Sequence, residues 1–91
     1  MAKVWIPSLL RDMTGGLSEL DVPGETVRDV IEQLEARYPG LGERLCQDGR
    51  LQPNIAVVVD GVNSRQGLRQ RLVDSSEVHF VPAIGGGSTG T

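Results

Sequence analysis

One amphipathic helix restricts this chain more than any other feature of its sequence. Val27, Val30, Ile31 and Leu34 recur at the i, i+3, i+4, i+7 spacing that gathers apolar side chains on one side of a helix. The run opens on Thr26-Val27-Arg28-Asp29, where the threonine hydroxyl and the aspartate carboxylate can satisfy backbone N–H groups left without partners at a helix start. It closes at Tyr38-Pro39-Gly40. Such a stripe must be covered. With one Trp, one Tyr and one Phe in 91 residues, the covering layer has to be built from Val, Leu and Ile, and a small sheet packed on one helix meets that need. A chain this short buries only about 60–65% of the surface its unfolded form exposes, which leaves little room for an enclosed catalytic cleft.

The strands follow from alternation and from their breakers. Lys3-Val4-Trp5-Ile6 alternates and stops at Pro7, with Val4 and Ile6 inward and Trp5 outward. A loop holding Leu9, Leu10 and the turn pair Gly15-Gly16 leads to Leu17 to Val22, which pairs with the first strand as an antiparallel hairpin and is closed by Pro23-Gly24. After the helix, Leu41 and Leu45 are spaced for a short helical turn, and Gln47 to Asn54 reads as a polar loop. Ile55-Ala56-Val57-Val58-Val59 is an unbroken β-branched run suited to a central strand; Asp60-Gly61 turns the chain into a short strand near Val62 to Arg65. Leu68 and Leu72 are expected to tuck inward. Glu77 to Val81 alternates, with Val78 and Phe80 toward the core and His79 and Val81 outward, and Pro82 closes it. The order is β-β-α-β-β-β.

Charge and cysteine content remove several functions. Twelve acidic and nine basic residues give a formal charge of −3, and the basic residues read as scattered among acidic neighbours, which argues against nucleic-acid binding. No stretch approaches the roughly 18 apolar residues that span a bilayer. The N-terminus lacks a basic segment followed by a long apolar one, so a cytoplasmic protein with no membrane partner is expected. Cys46 is the lone cysteine; it can form no internal disulfide and cannot by itself hold a metal or an iron–sulfur cluster. No metal or bound cofactor is expected. Cys46 itself reads as a small, partly buried apolar residue.

Residues 1–82 thus form one domain, and residues 83–91 a small, glycine-rich tail that cannot bury enough apolar area to order itself.

The opening Ile6-Pro7-Ser8-Leu9-Leu10-Arg11, the Thr14-Gly15-Gly16 turn, the element order and the ending Val81-Pro82-Ala83-Ile84-Gly85-Gly86-Gly87 resemble the ThiS/MoaD family of sulfur carriers. The likeness runs over nearly the whole chain up to Gly87. It is nearest the MoaD-like branch, including the carrier that feeds sulfur into cysteine synthesis, because the segment between helix and central strand is long. The resemblance implies an α+β, ubiquitin-like β-grasp fold, with a mixed four- to five-stranded sheet on one main helix. It implies a carrier rather than an enzyme: an activating enzyme adenylates the carboxylate of Gly87 with ATP, a sulfur donor displaces AMP to leave a thiocarboxylate, and a synthase takes the sulfur. Gly86 is then the second glycine of the pair, and Ala83, Ile84 and Gly85 are the flexible reach.

Glycine suits that task on physical grounds, since a tip without Cβ can thread a narrow channel and approach closely. Extended, residues 83–87 span roughly 17 Å. The sequence continues past the diglycine as Ser88-Thr89-Gly90-Thr91, so Gly87 as written has no free carboxylate: either a peptidase removes those residues, for which the family likeness implies a JAMM-type enzyme, or they are a cloning remnant, or the protein is never activated.

Trp5, His79 and Val81 fall on strands that are parallel neighbours in a β-grasp sheet. They either are incidental apolar surface or dock the activating enzyme and the synthase. Arg11, from the opening motif, either is a solvated charge or pairs with an acidic partner surface. His79 has no recognisable nucleophile or acid beside it in sequence, so no catalytic role is assigned. Two rival functions share the same residues: a ubiquitin-like modifier joined to lysines through the diglycine, and an interaction domain with an unreactive tail.

Overall fold

A computed structural model describes residues 1–82. Seven strands and two α-helices follow in the order β1 (Ala2–Trp5), β2 (Glu19–Val22), α1 (Val27–Arg37), α2 (Leu41–Leu45), β3 (Cys46–Gln47), β4 (Arg50–Leu51), β5 (Ile55–Val59), β6 (Val62–Asn63) and β7 (Glu77–Pro82). Two 3-10 segments, Ser8–Thr14 and Gly67–Arg69, fill the longer connections. Five strands make one mixed sheet in the order β2-β1-β7-β5-β6. β1 runs parallel to β7, and every other pairing in that sheet is antiparallel. The first and last strands therefore lie side by side within the sheet. This is the β-grasp arrangement.

α1 begins where the cap residues require. Thr26 Oγ1 accepts the N–H of Asp29 at 3.2 Å, while the Asp29 carboxylate accepts the N–H of Glu25 at 3.1 Å, one residue before the cap. The apolar stripe Val27, Val30, Ile31 and Leu34 is buried against Val4, Val22, Val57, Val78 and Phe80 from the sheet. Each such side chain contributes about 1.5–3 kcal/mol when taken out of water, so the helix is held by packing more than by propensity. Residues 70–72 tie the helix start to the body through Val27 N–H to Gln70 O at 3.0 Å and Leu72 N–H to Glu25 O at 2.8 Å. Leu72 is buried and Leu68 packs against the core, as their spacing implied.

The alternation in β1 and β7 is read correctly from sequence: Val4, Ile6, Val78 and Phe80 are buried. Ile6, however, lies just past β1, and β2 is shorter than expected, since Leu17 and Ser18 precede it and Leu17 is exposed. Two segments expected to be loops have structure. The residues around Leu9 and Leu10 wind into a 3-10 segment, because Leu10 inserts into the core while the Thr14 hydroxyl lies 3.1 Å from Arg11 O and 2.9 Å from Leu17 O, closing the turn. Gln47 to Asn54 is not an open loop but contains a hairpin, Cys46–Gln47 with Arg50–Leu51. Asp48 and Gly49 turn it with φ 55° and 76°, the same left-handed pair that Asp60 and Gly61 (53° and 83°) use between β5 and β6.

Candidate functional site

Gly86 and Gly87, with Ala83, Ile84 and Gly85, lie outside the described residues, as does the tail expected over 83–91. The structure shows where that tail leaves the domain. β7 ends at Pro82, whose backbone pairs with Ile55 at the start of β5. Because β1 and β7 are parallel and in register at Trp5 and His79, the chain leaves β1 toward Arg11 at the same end of the sheet.

The helices cover one side of the sheet, and the alternating residues of the other side form its outer face. Glu19, Trp5, His79, Val58 and Asn63 make one row across all five strands. The Trp5 and His79 rings are stacked, with centroids 5.0 Å apart and planes at 8°. Two residues further along β7, Val81 pairs with Ala56. In the opposite direction the face turns charged, with Lys3 between Asp21 and Glu77 in register. The apolar half of the outer face is therefore the half that borders the tail. Lys3 Nζ to Glu19 at 3.8 Å and His79 Nε2 to Glu77 at 3.9 Å are loose, exposed pairs that contribute little stability and leave these side chains free to rearrange.

Trp5, His79 and Val81 fall on this one face as expected and are each half-buried, Trp5 and His79 stacking on one another. The Trp5 indole N–H is itself buried and has no acceptor among the described residues. Arg11 is not on the sheet. It projects from the first 3-10 segment, exposed, with Nε donating to Ile6 O at 3.1 Å, so its guanidinium is anchored one residue beyond Trp5. Ala56 and Val58 belong to the same face and were missed. Their signal was in the sequence: β5 is apolar at every position, which a strand with one wet face does not need.

Cys46 opens β3 directly after α2 and is half-buried. Burial pushes its thiol above the ordinary value of 9.0, and the nearby Arg28 charge from α1 offsets this only in part. Arg44 and Arg50 are its nearest basic residues along the chain, but the charge that acts on it is that of Arg28. A thiol held protonated is a poor nucleophile. Among the described residues no group of three or more His, Cys, Asp or Glu is placed to hold a metal ion, and no helix is long and apolar enough to cross a membrane.

Comparison with known proteins matches residues 4–87 to the ThiS family, a span that includes the diglycine. The chain is 38% identical over 89 residues to the sulfur carrier protein CysO of Mycobacterium tuberculosis, covering 92% of this chain and 96% of that one. It is 39% identical over 64 residues to small archaeal modifier protein 3 of Haloferax volcanii, covering 68% and 70%. Among solved structures, the Amycolatopsis orientalis BexX/CysO complex superposes with a TM-score of 0.87 at 32% identity, over 96% of this chain and 100% of the matched one.

Proposed function

From the premise that the chain belongs to the ThiS family, we propose that it is a sulfur carrier, a passive substrate of other enzymes rather than a catalyst. Its tail follows the pairing of Pro82 with Ile55, and the diglycine falls inside the family match. That placement carries the reading.

The steps assigned to the residues are these. A peptidase, of the JAMM type implied by the resemblance, hydrolyses the Gly87–Ser88 bond and frees the Gly87 carboxylate. An activating enzyme joins that carboxylate to the α-phosphate of ATP, releasing pyrophosphate, and a sulfur nucleophile then attacks the acyl carbon and expels AMP. The product is a Gly87 thiocarboxylate, from which a synthase takes sulfur. No cofactor belongs to the carrier; ATP is consumed by its partner. Trp5, His79 and Val81, with Ala56 and Val58, form the face on which the activating enzyme and the synthase seat, and Arg11 meets an acidic group of the partner. An aromatic pair beside aliphatic side chains is the composition that dominates binding energy in protein interfaces. That a CysO has been solved in complex with a protein named BexX supports docking by a carrier of this shape.

The experiment is a mass measurement. A chain ending at Gly87, given ATP, sulfide and an activating enzyme, gains the increment of one sulfur-for-oxygen exchange. The same chain retaining residues 88–91 gains nothing unless the peptidase is added. No gain by the trimmed chain with any compatible activating enzyme defeats the proposal.

The likeness to a small archaeal modifier protein favours one second reading. In it the same Gly87 adenylate is taken by a lysine amine, forming an isopeptide bond. Conjugates carrying this chain on lysines, found in cell extract, decide for that reading.

A further inference from the structure

Three arginines from two separate segments converge on one cavity. Arg50 of β4, with Arg65 and Arg69 at the second 3-10 segment, lines an open cavity of about 350 Å³ together with Gly49, Leu51 and Gln66. The cavity forms because β4 packs against that segment, where Gly67 (φ 57°) lies so close that a Cβ on it would stand 3.8 Å from Leu51 Cδ1. No carboxylate lines it. Of the arginines outside the cavity, Arg28 pairs with Glu32, Arg11 bonds Ile6 O and Arg37 bonds Asp21 O, while Arg44 and Arg71 stand apart from one another and from the cavity lining. Arg50, Arg65 and Arg69 are exposed, and among the described residues none of the three makes an ion pair or a side-chain hydrogen bond.

Like charges gathered at one mouth repel, and a bound anion relieves that repulsion. In a chain of net charge −3 the cluster is not the by-product of a generally basic surface. We propose that this cavity is an anion site for a compact, multiply charged phosphate group, such as pyrophosphate or the phosphate chain of a nucleotide. Guanidinium forks bind phosphate oxygens in pairs, with directional, charge-assisted hydrogen bonds. The volume lies at the lower end of small-molecule sites, and a concave mouth suits a dense anion better than an extended acidic peptide, which needs a groove. Leu51 of the cavity is followed by Gln52, whose carbonyl accepts the N–H of Ile55 at 2.9 Å, and Ile55 pairs with Pro82. The site thus lies toward the end of the sheet where the tail leaves, yet it needs nothing from the chemistry of Gly87.

Titration of the full chain with sodium pyrophosphate, followed by ¹H–¹⁵N correlation spectra that include the arginine Nε–H signals, tests the assignment. Saturable shifts are expected at Gly49, Arg50 and residues 66–69, with a Kd of about 1 mM or tighter at low salt. Arg50→Gln and Arg69→Gln should each weaken binding about tenfold, whereas Arg44→Gln, outside the cavity, should leave it unchanged. Parallel titrations use ATP and octaglutamate. Tighter binding of ATP identifies a nucleotide; equal or weaker binding identifies the bare phosphate group. Absence of saturation, shifts spread equally over Arg28, Arg37 and Arg44, or octaglutamate binding more tightly than pyrophosphate at the same residues overturns the proposal.

Discussion

Replacing Glu35 with alanine removes the acceptor that joins the two helices. Its carboxylate accepts the N–H of Gly40 at 3.0 and 3.2 Å and the N–H of Gly42 at 2.8 Å, across the turn into α2, whose Leu41 and Leu45 are fully buried. A hydrogen bond to a charged group is worth about 1.5–3 kcal/mol. Because Glu35 is only half-buried, solvent screening brings the loss for both bonds to about 2–3 kcal/mol. In a domain of this size that lowers Tm by about 10–20 °C. The neighbouring glycine sharpens the test. A Cβ on Gly42 would stand 2.8 Å from Glu35 Oε1 and 3.2 Å from Glu35 Cβ, so Gly42→Ala must push the carboxylate off its donors, at about 1–2 kcal/mol. With Glu35→Ala already present the 2.8 Å clash with the carboxylate is gone and only the 3.2 Å approach to the Cβ of residue 35 remains, which the helix preference of alanine over glycine, about 0.5–1 kcal/mol, offsets, so Gly42→Ala becomes nearly neutral. Urea unfolding of the two single variants and the double variant, with Trp5 fluorescence as probe, measures a coupling of about 1–2 kcal/mol. The reasoning is refuted if Glu35→Ala costs under about 0.5 kcal/mol, or if Gly42→Ala costs the same in both backgrounds.

Other residues offer separate checks. Trp5→Ala should lower capture by the activating enzyme about thirtyfold, an interface loss of about 2 kcal/mol, while folding loses only about 1 kcal/mol with the stack; unchanged capture in a competition assay removes Trp5 from the docking face. Thr14→Val should cost about 1–3 kcal/mol by removing the hydroxyl that donates to Leu17 O or Arg11 O, of which Arg11 O keeps the Gly16 N–H at 2.7 Å, Thr14→Ser should recover most of it, and equal thermal stability of the two variants contradicts the role. Gly24→Ala places a Cβ 3.0 Å from Asp29 Cβ and 3.1 Å from Val30 N, and should destabilise by about 1–3 kcal/mol in the same unfolding assay, against no change if the start of α1 shifts freely. Cys46 should react slowly with a disulfide reagent at pH 8. Since folding raises its thiol pKa, the unfolded chain loses that proton first, so stability falls as pH rises above about 9.0; Cys46→Ser should flatten that fall, and an unaltered slope argues against burial as the cause.

Local periodicity made most of the fold readable. Val27 to Leu34, Val4 with Ile6, and Val78 with Phe80 each encode which side is inside, and the capping residues encode where α1 starts. What was not readable depends on contacts between distant segments. The β3–β4 hairpin is two residues a side and draws its support from α2 and the second 3-10 segment, so its polar sequence looks like a loop. Cys46 meets Arg28 only because α1 folds back over α2. The arginine cavity corrects the impression of basic residues scattered among acidic ones: from Arg65 to Arg71 three arginines occur with no acidic residue between Asp60 and Asp74. That gap was visible, but the arrival of Arg50 was not. On the outer face, Trp5 and His79 followed from alternation, while Ala56 and Val58 hid inside a run that looked purely like core.

The parallel pairing of β1 with β7 has a mechanical meaning. β7 is flanked on both sides, by β1 and by β5, and a pull on residue 83 acts along the strand direction. To draw β7 out, the hydrogen bonds of both ladders must shear together rather than open one after another like a zipper. A tail anchored in this way can be dragged into a tight channel, held there under load and let go, while the domain behind it keeps its shape.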